Sequence, residues 1–219
     1  TEVRDAAPAF VDQLLGSAGS AAPQDEIAPH QPTNIDPFRM LHIIREPVHI
    51  LVTGAAFQVP GFGRLLHRLG HVPVVRGNGR AALEGARQLL ADGRIVVVFA
   101  EGALSPAVGA FHKPRTGTAR LALSSGAPVI PVGIHPDEER VRPVEIEGEE
   151  APGRVYYGGP YAVTVGRSLH FQGNVEDWAR VRSVSEQMMA DIAHLAGQSK
   201  GRMEAPRALP AGALVSSQW

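Results

Sequence analysis

The sequence predicts an α/β fold in which a mainly parallel sheet is flanked by helices on both faces. Short apolar runs that suit buried strands alternate along the chain with longer segments of helical periodicity. The strand candidates are residues 48–52, 72–75, 95–99, 129–134 and 161–165. Because parallel neighbours need a crossover connection, usually a helix, this alternation predicts repeated strand–helix–strand units.

Four helices are predicted, each from a pattern with a defined start or end. Asp36-Pro37 indicates a helix start, with Asp36 as the N-cap, and this helix should end near Pro47. Residues 79–91 place their apolar side chains on one face, and Gly93 can cap the end. The remaining helices are 117–125, which Gly126 closes, and 177–195.

The length of 219 residues suits one domain with a substantial core. We expect residues 1–28, rich in Ala, Gly, Ser and Pro, to form a flexible N-terminal segment. Residues 29–198 would form a single folded domain, and residues 199–219 a loose C-terminal tail.

Composition excludes several classes of protein. The formal net charge of −1 gives no sign of nucleic-acid binding, and no cysteine is present for disulfides or thiolate metal sites. The nine histidines show no helical pair with a carboxylate between them, so no metal site is predicted. No apolar stretch approaches the roughly 18 residues that span a bilayer.

Glu101 and Gly102 stand where the apolar run 95–99 ends. Binding sites of parallel sheets form in the crevice beyond the carboxyl ends of the strands. Gly102 permits a tight turn with exposed N–H groups, and Lys113 and Arg115 follow closely enough to face an anion. Alternatively, Glu101 is an ordinary loop carboxylate and the two cations belong to a solvated face.

His30 and Asp36 form a candidate general-base pair, in which the carboxylate orients the imidazole. The alternatives are a solvated loop histidine and an aspartate that only caps a helix. Arg76 precedes Gly77-Asn78-Gly79, a glycine-containing turn that opens a helix and therefore suits a phosphate. This turn lacks the third glycine of a dinucleotide fingerprint.

Together, these segments resemble the glycerophospholipid acyltransferase family, which includes the lysophosphatidate acyltransferases. The resemblance covers about residues 30–135. The family's first block is a His followed, after four residues, by an Asp, whereas five residues separate His30 from Asp36. Its second block, a Gly with an Arg six residues on, matches Gly70 and Arg76.

The third and fourth blocks follow in the order typical of the family. Of the third, F-P-E-G-T-R-S, this chain keeps Phe, Glu, Gly and Ser in residues 99–105, but Ala103-Leu104 replaces Thr-Arg. The fourth, V-P-V, matches Ile130-Pro131-Val132. In the family, the missing Arg meets the acceptor phosphate, and Lys113 or Arg115 could substitute for it here.

The resemblance implies direct acyl transfer from an acyl thioester to a hydroxyl of a lysophospholipid-type acceptor such as lysophosphatidate. Acyl-CoA or acyl carrier protein would be the co-substrate, with no resident cofactor. His30 would be the base and Asp36 its orienting partner. Arg76 would bind phosphate, and Glu101 and Gly102 would shape the acceptor site.

The resemblance also implies a lipid acceptor, a cytoplasmic location and peripheral contact with the inner face of a membrane. The candidates for that contact, which could equally belong to the core, are Phe10, Leu14, Leu15, Phe57, Val59, Phe62, Leu65 and Leu66. Two alternatives remain open. One is a catalytically degenerate protein that binds an acyl chain or lipid on the same fold. The other is an O-acyltransferase for a non-phosphorylated acceptor.

Overall fold

The protein is built on a six-stranded sheet, with a separate two-stranded hairpin beside it. The structure, a computed structural model, describes residues 25–44, 46–145 and 153–205. The strands are β1 Glu26–Pro29, β2 Val48–Thr53, β3 Val72–Val74, β4 Ile95–Val97, β5 Val129–Pro136, β6 Val141–Val144, β7 Gly153–Tyr156 and β8 Tyr161–Val165. The helices are α1 Asp36–Ile43, α2 Phe62–Arg68, α3 Gly79–Ala91, α4 Gly117–Ser125 and α5 Trp178–Glu204, with 3₁₀ turns at Gly54–Gln58 and Glu138–Arg140.

The strand order is β3-β2-β4-β1-β5-β8, and the first five strands are parallel. Only β8 runs antiparallel to its neighbour β5. This confirms the predicted fold class. Because the five parallel strands point the same way, the residues that follow β1, β3 and β4 emerge at one edge of the sheet. His30, Arg76 and Glu101 are three of them.

Helices cover both faces of the sheet. On one face, Met40 of α1 packs with strand residues that include Ile27 and Val97. On the other, Ala28 lies among buried side chains of α4 and α5, such as Ala119 and Val184. The alternation of Ile27 and Ala28 between the two faces follows from the period of two in a strand. A core on each face agrees with the long apolar runs of the sequence.

The position of β1 corrects the predicted N-terminal boundary. Residues 26–28 were expected to lie in a flexible segment, but they form the strand between β4 and β5 and are buried. The prediction that the domain begins at 29 was wrong. The polar Glu26 breaks the apolar pattern by which a strand paired on both sides is recognised. Residues 1–24 of that segment lie outside the described residues.

The C-terminal boundary also moves. Helix α5 ends at Glu204, well past the predicted end at 195, so the expected tail at 199–219 begins too early. Ser199 is fully buried, and its hydroxyl donates to the Gly133 carbonyl at 3.0 Å. This contact with β5 keeps the last turns of α5 on the sheet. Residues 206–219 lie outside the described residues.

Glu26 is a buried carboxyl group without a partner. Its side chain is 0% exposed, and neither oxygen has a hydrogen-bond partner among the residues that the structure describes. Burial raises the pKa of Glu26 well above its usual range. A group whose pKa is raised by folding costs stability once the pH exceeds its unfolded pKa, and the cost grows until the folded pKa is reached.

We expect Glu26→Met to stabilise the protein, by about 1–3 kcal/mol at neutral to alkaline pH, because an unsatisfied buried polar group is removed. The gain should grow as the pH rises above about 4.5, the range in which the unfolded glutamate ionises. Urea denaturation at pH 5 and pH 8 measures it. Glu186→Met, at an exposed position on α5, is the control. A gain that is the same at both pH values would contradict the explanation.

Candidate active site

The candidate site lies at the C-terminal edge of the parallel strands. The turn after β1 carries His30, and the turn after β4 carries Glu101. The two turns are joined directly, because the Ser105 N–H donates to the Gln31 carbonyl at 2.8 Å. Arg76 follows β3 at the same edge and is exposed, but β2 separates its strand from β4. The fold therefore brings His30 and Glu101 together and leaves Arg76 at the margin.

His30 is enclosed rather than solvated. Its side chain is 1% exposed, and the ring of Phe111 packs edge-on against it with a centroid distance of 5.0 Å. Burial lowers the pKa of His30 to about 4, and the backbone of Val132 and Ile134 offsets this only in part. Within the described residues, no side chain forms a hydrogen bond with either ring nitrogen. At neutral pH the imidazole is therefore uncharged, with a lone pair available to a proton.

Asp36 is equally buried, and its carboxylate is fully engaged. It accepts hydrogen bonds from the Thr33 N–H at 2.6 Å, from the Thr33 hydroxyl at 2.8 Å and from the Tyr161 hydroxyl at 2.8 Å. Burial raises the pKa of Asp36 to about 6, and these hydrogen bonds oppose the rise. The predicted N-cap role was wrong: Asp36 lies in the first turn of α1 and reaches back to Thr33.

No hydrogen bond joins His30 to Asp36. The structure places both residues in one turn without pairing them, so the direct orienting contact expected from the family is absent here. Instead, Thr33 and Asp36 close a turn of their own. The spacing Thr33-x-x-Asp36 resembles a capping box, a sequence signal that could have predicted this outcome.

Glu101 holds the segment that covers His30. Its side chain is 1% exposed. One oxygen accepts a hydrogen bond from the Ser105 hydroxyl, and the other accepts from the His112 N–H at 2.6 Å. Because His112 follows Phe111, the carboxylate fixes the loop whose aromatic ring lies on His30. Glu101 is thus neither a solvated loop residue nor a free acceptor for substrate.

Gly102 leaves space for the side chain of Arg115. Its φ is +59°, and a Cβ at this position would lie 2.5 Å from Arg115 Cδ. The Arg115 N–H donates to the Ala100 carbonyl at 3.0 Å, which places its side chain along the Glu101 turn. Arg115 and Lys113 are both exposed. Within the described part of the chain, the guanidinium of Arg115 has no ion pair or hydrogen bond.

Sequence reasoning missed two residues of the site. Tyr161, at the start of β8, donates to Asp36, and Arg154 of β7 contacts the turns on both sides of the site. No local pattern indicates either role, because each acts across more than 40 residues of sequence. Across 25–44, 46–145 and 153–205, no group of three His, Asp or Glu side chains is placed to hold a metal ion.

Comparisons with known proteins bear on the family and the fold. A family model described as Acyltransferase matches residues 27–135, which include both turns of the site. The crystal structure of the 1-acyl-sn-glycerophosphate (LPA) acyltransferase PlsC from Thermotoga maritima is similar, with a TM-score of 0.61 and 16% identity. The similarity covers 94% of this chain and 80% of that one. No curated protein matches the sequence. The chain belongs to the acyltransferase family and has the fold of a PlsC-type glycerophospholipid acyltransferase.

Proposed function

We propose that this acyltransferase transfers an acyl group from acyl-CoA or acyl carrier protein to a hydroxyl of a lysophospholipid-type acceptor such as lysophosphatidate. The observation that carries the proposal is His30, an uncharged imidazole buried at the sheet edge beside the Glu101 turn. Such an imidazole can accept a hydrogen bond, and then a proton, from a substrate hydroxyl.

In the proposed reaction, His30 accepts the proton of the acceptor hydroxyl while the oxygen attacks the thioester carbonyl. The tetrahedral intermediate then collapses, the carbon–sulfur bond breaks, and the imidazolium returns the proton to the departing thiolate. No acyl-enzyme forms. The ring of Phe111 covers His30, so this side chain must turn aside before the acceptor can reach the base. Asp36 contributes by fixing the turn of His30 through Thr33.

Arg115 is our candidate for binding the acceptor phosphate. It lies against Gly102, beside the position at which Leu104 replaces the family's arginine. Its guanidinium is exposed, and an arginine fork matches the geometry of a phosphate. Lys113 and Arg76 add positive charge at the same edge. A phosphorylated acceptor is therefore favoured over a neutral one.

The test is thiol release from a panel of acyl thioesters, with lysophosphatidate and monoacylglycerol as acceptors. We expect turnover with lysophosphatidate, and Arg115→Met should raise its KM at least tenfold while sparing monoacylglycerol. Arg94→Met is the control, because Arg94 precedes β4 at the opposite edge. Preference for monoacylglycerol would move the proposal to a neutral acceptor. Bound acyl thioester without turnover would support a degenerate lipid-binding protein.

We also propose that an apolar patch meets the surface of an anionic membrane. Phe62 and Leu65 of α2 and Leu69, which follows its last residue, lie on one side, and Leu65 and Leu69 are 48% and 47% exposed. Phe38 of α1 is 49% exposed, and its ring lies 6.0 Å from that of Phe62. Arg64 and Arg68, both exposed, add positive charge, which favours anionic lipid. Among the residues described, no helix is long and apolar enough to cross a bilayer.

Of the candidates, Phe57 and Leu66 belong to the core, and Phe10, Leu14 and Leu15 lie outside the described residues, whereas Phe38 joins the surface patch. We expect Leu65→Glu to lower co-sedimentation with phosphatidylglycerol vesicles by tenfold or more. Tyr157→Ser, which removes another exposed apolar side chain, should leave binding unchanged. Equal binding by Leu65→Glu and the wild type would show that this face does not meet the membrane.

A further inference from the structure

Arg154 ties an outlying hairpin to the turn that carries His30. It lies in β7, which pairs with β6 outside the main sheet. Its N–H donates to the Asn34 side-chain oxygen at 2.6 Å, and its carbonyl accepts from the Asn34 N–H at 2.8 Å. These two hydrogen bonds place the side chain of Arg154 between the two turns of the site.

The guanidinium of Arg154 joins those turns. Its Nε donates to the Pro32 carbonyl at 3.0 Å, which belongs to the His30 turn. Its Nη1 donates to the Pro106 carbonyl at 3.0 Å, and its Nη2 donates to the Ser105 carbonyl. One planar cation therefore binds three carbonyl oxygens from both sides of the site. A lysine cannot reproduce this arrangement, because its ammonium group is a single point of donation.

The charges of two nearby carboxyl groups also favour the guanidinium of Arg154 at this position. Burial lowers the pKa of Arg154, and the nearby charges of Asp36 and Glu101 oppose this. The two buried carboxyl groups of the site thus share one half-buried cation. Hydrogen bonds from a charged donor are stronger than those from a neutral one. The three contacts should therefore resist separation of the turns.

We propose that Arg154 is a positioning residue for acyl transfer, which holds the His30 turn at a fixed distance from the Glu101 turn. This inference rests on the proposed function. The reaction requires the base, the acceptor and the thioester in one geometry, and a displacement of about 1 Å can cost about 100-fold in rate. Arg154 lies in neither of the turns that it joins. It therefore sets the distance between the two turns and takes no part in the proton transfer or the bond changes.

Arg154→Met is expected to lower kcat about 100-fold with the KM for the acyl thioester within threefold of the wild type. Arg154→Lys should recover less than a tenth of the lost rate. The control is Arg142→Met in the same hairpin, because the hydrogen bonds of the Arg142 guanidinium to described residues go to carbonyls of its own segment, at Glu139 and Val141. It should keep wild-type kcat. A kcat within threefold of wild type in Arg154→Met, or full rescue by lysine, would overturn the inference.

Hydrogen exchange gives a readout that is independent of activity. The Ser105 N–H, which donates to the Gln31 carbonyl, should exchange at least tenfold faster in Arg154→Met but not in Arg142→Met. Faster exchange throughout the core would instead indicate general destabilisation and overturn the positioning role. If the wild type transfers no acyl group to any acceptor while Ser105 exchange still rises, the proposed function fails and the link between the turns stands.

Discussion

His30→Ala is expected to lower kcat about a thousandfold or more, within the range of about 10²–10⁴ that a positioned general base contributes. The reason is that His30 is the buried, uncharged base at the junction of the two turns. Thiol release from acyl-CoA in the presence of lysophosphatidate measures the effect. His194→Ala, on the exposed surface of α5, is the matched control. Wild-type turnover in His30→Ala would assign the base to another residue.

Asp36→Asn separates two roles for the neighbouring carboxylate. If Asp36 acts through the turn, as its hydrogen bonds to Thr33 and Tyr161 indicate, an amide oxygen still accepts and the loss should be tenfold or less. If Asp36 orients His30 directly during the reaction, the loss should approach that of His30→Ala. The comparison therefore tests whether the pairing expected from the family forms only with substrate bound.

The pH dependence of His30 follows from its burial. A base must be unprotonated to act, so kcat/KM should rise with pH through the pKa of His30 and level off above it. In the closed site that pKa is about 4, and exposure to water would raise it towards 6.5. Phe111→Ala opens the cover and should therefore move the acid limb to higher pH. The pH profiles with and without the Phe111→Ala substitution should both be measured in an Asp36→Asn background. The pKa of Asp36 is about 6, so this carboxyl group would otherwise add a second titration to the profile.

Gly133→Ala is expected to give the largest loss of stability, about 3 kcal/mol or more. A Cβ at Gly133 would lie 2.1 Å from the Ala196 nitrogen and 2.2 Å from the Leu195 carbonyl carbon. Both are backbone atoms of α5, so the helix itself must move away from β5. For a domain of this size the midpoint of thermal unfolding should fall by roughly 6–12 °C. Thermal denaturation followed by circular dichroism measures it.

Gly197→Ala is the matched control on α5. A Cβ there meets nothing within 4 Å, and alanine favours the helix by up to about 1 kcal/mol. The control should therefore be neutral or stabilising. If Gly133→Ala were tolerated as well as Gly197→Ala, the close contact between α5 and β5 would not exist in solution.

The sequence predicted the elements that depend on local pattern. The helices at 79–91 and 117–125 and the strand at 161–165 agree with the structure, because hydrophobic periodicity and glycine caps are properties of neighbouring residues. The four motif blocks predicted the family for the same reason, since each is a short run with fixed spacing. Strand β1 was not predicted, because a polar Glu26 does not fit the local pattern of a buried strand. Its pairing with β4 and β5 on either side holds it in the sheet.

Residue identity and spacing by themselves determined the fold class, the family and the position of Glu101 and Gly102 at the edge of a parallel sheet, whereas the strand that brings His30 beside them was missed. Tertiary structure decided what those groups contact. It turned Asp36 towards Thr33 and Tyr161, closed Phe111 over His30 and placed Arg154 between the turns. The physical reason is that a hydrogen bond or a covering ring depends on distances between segments far apart in the chain, and packing fixes those distances.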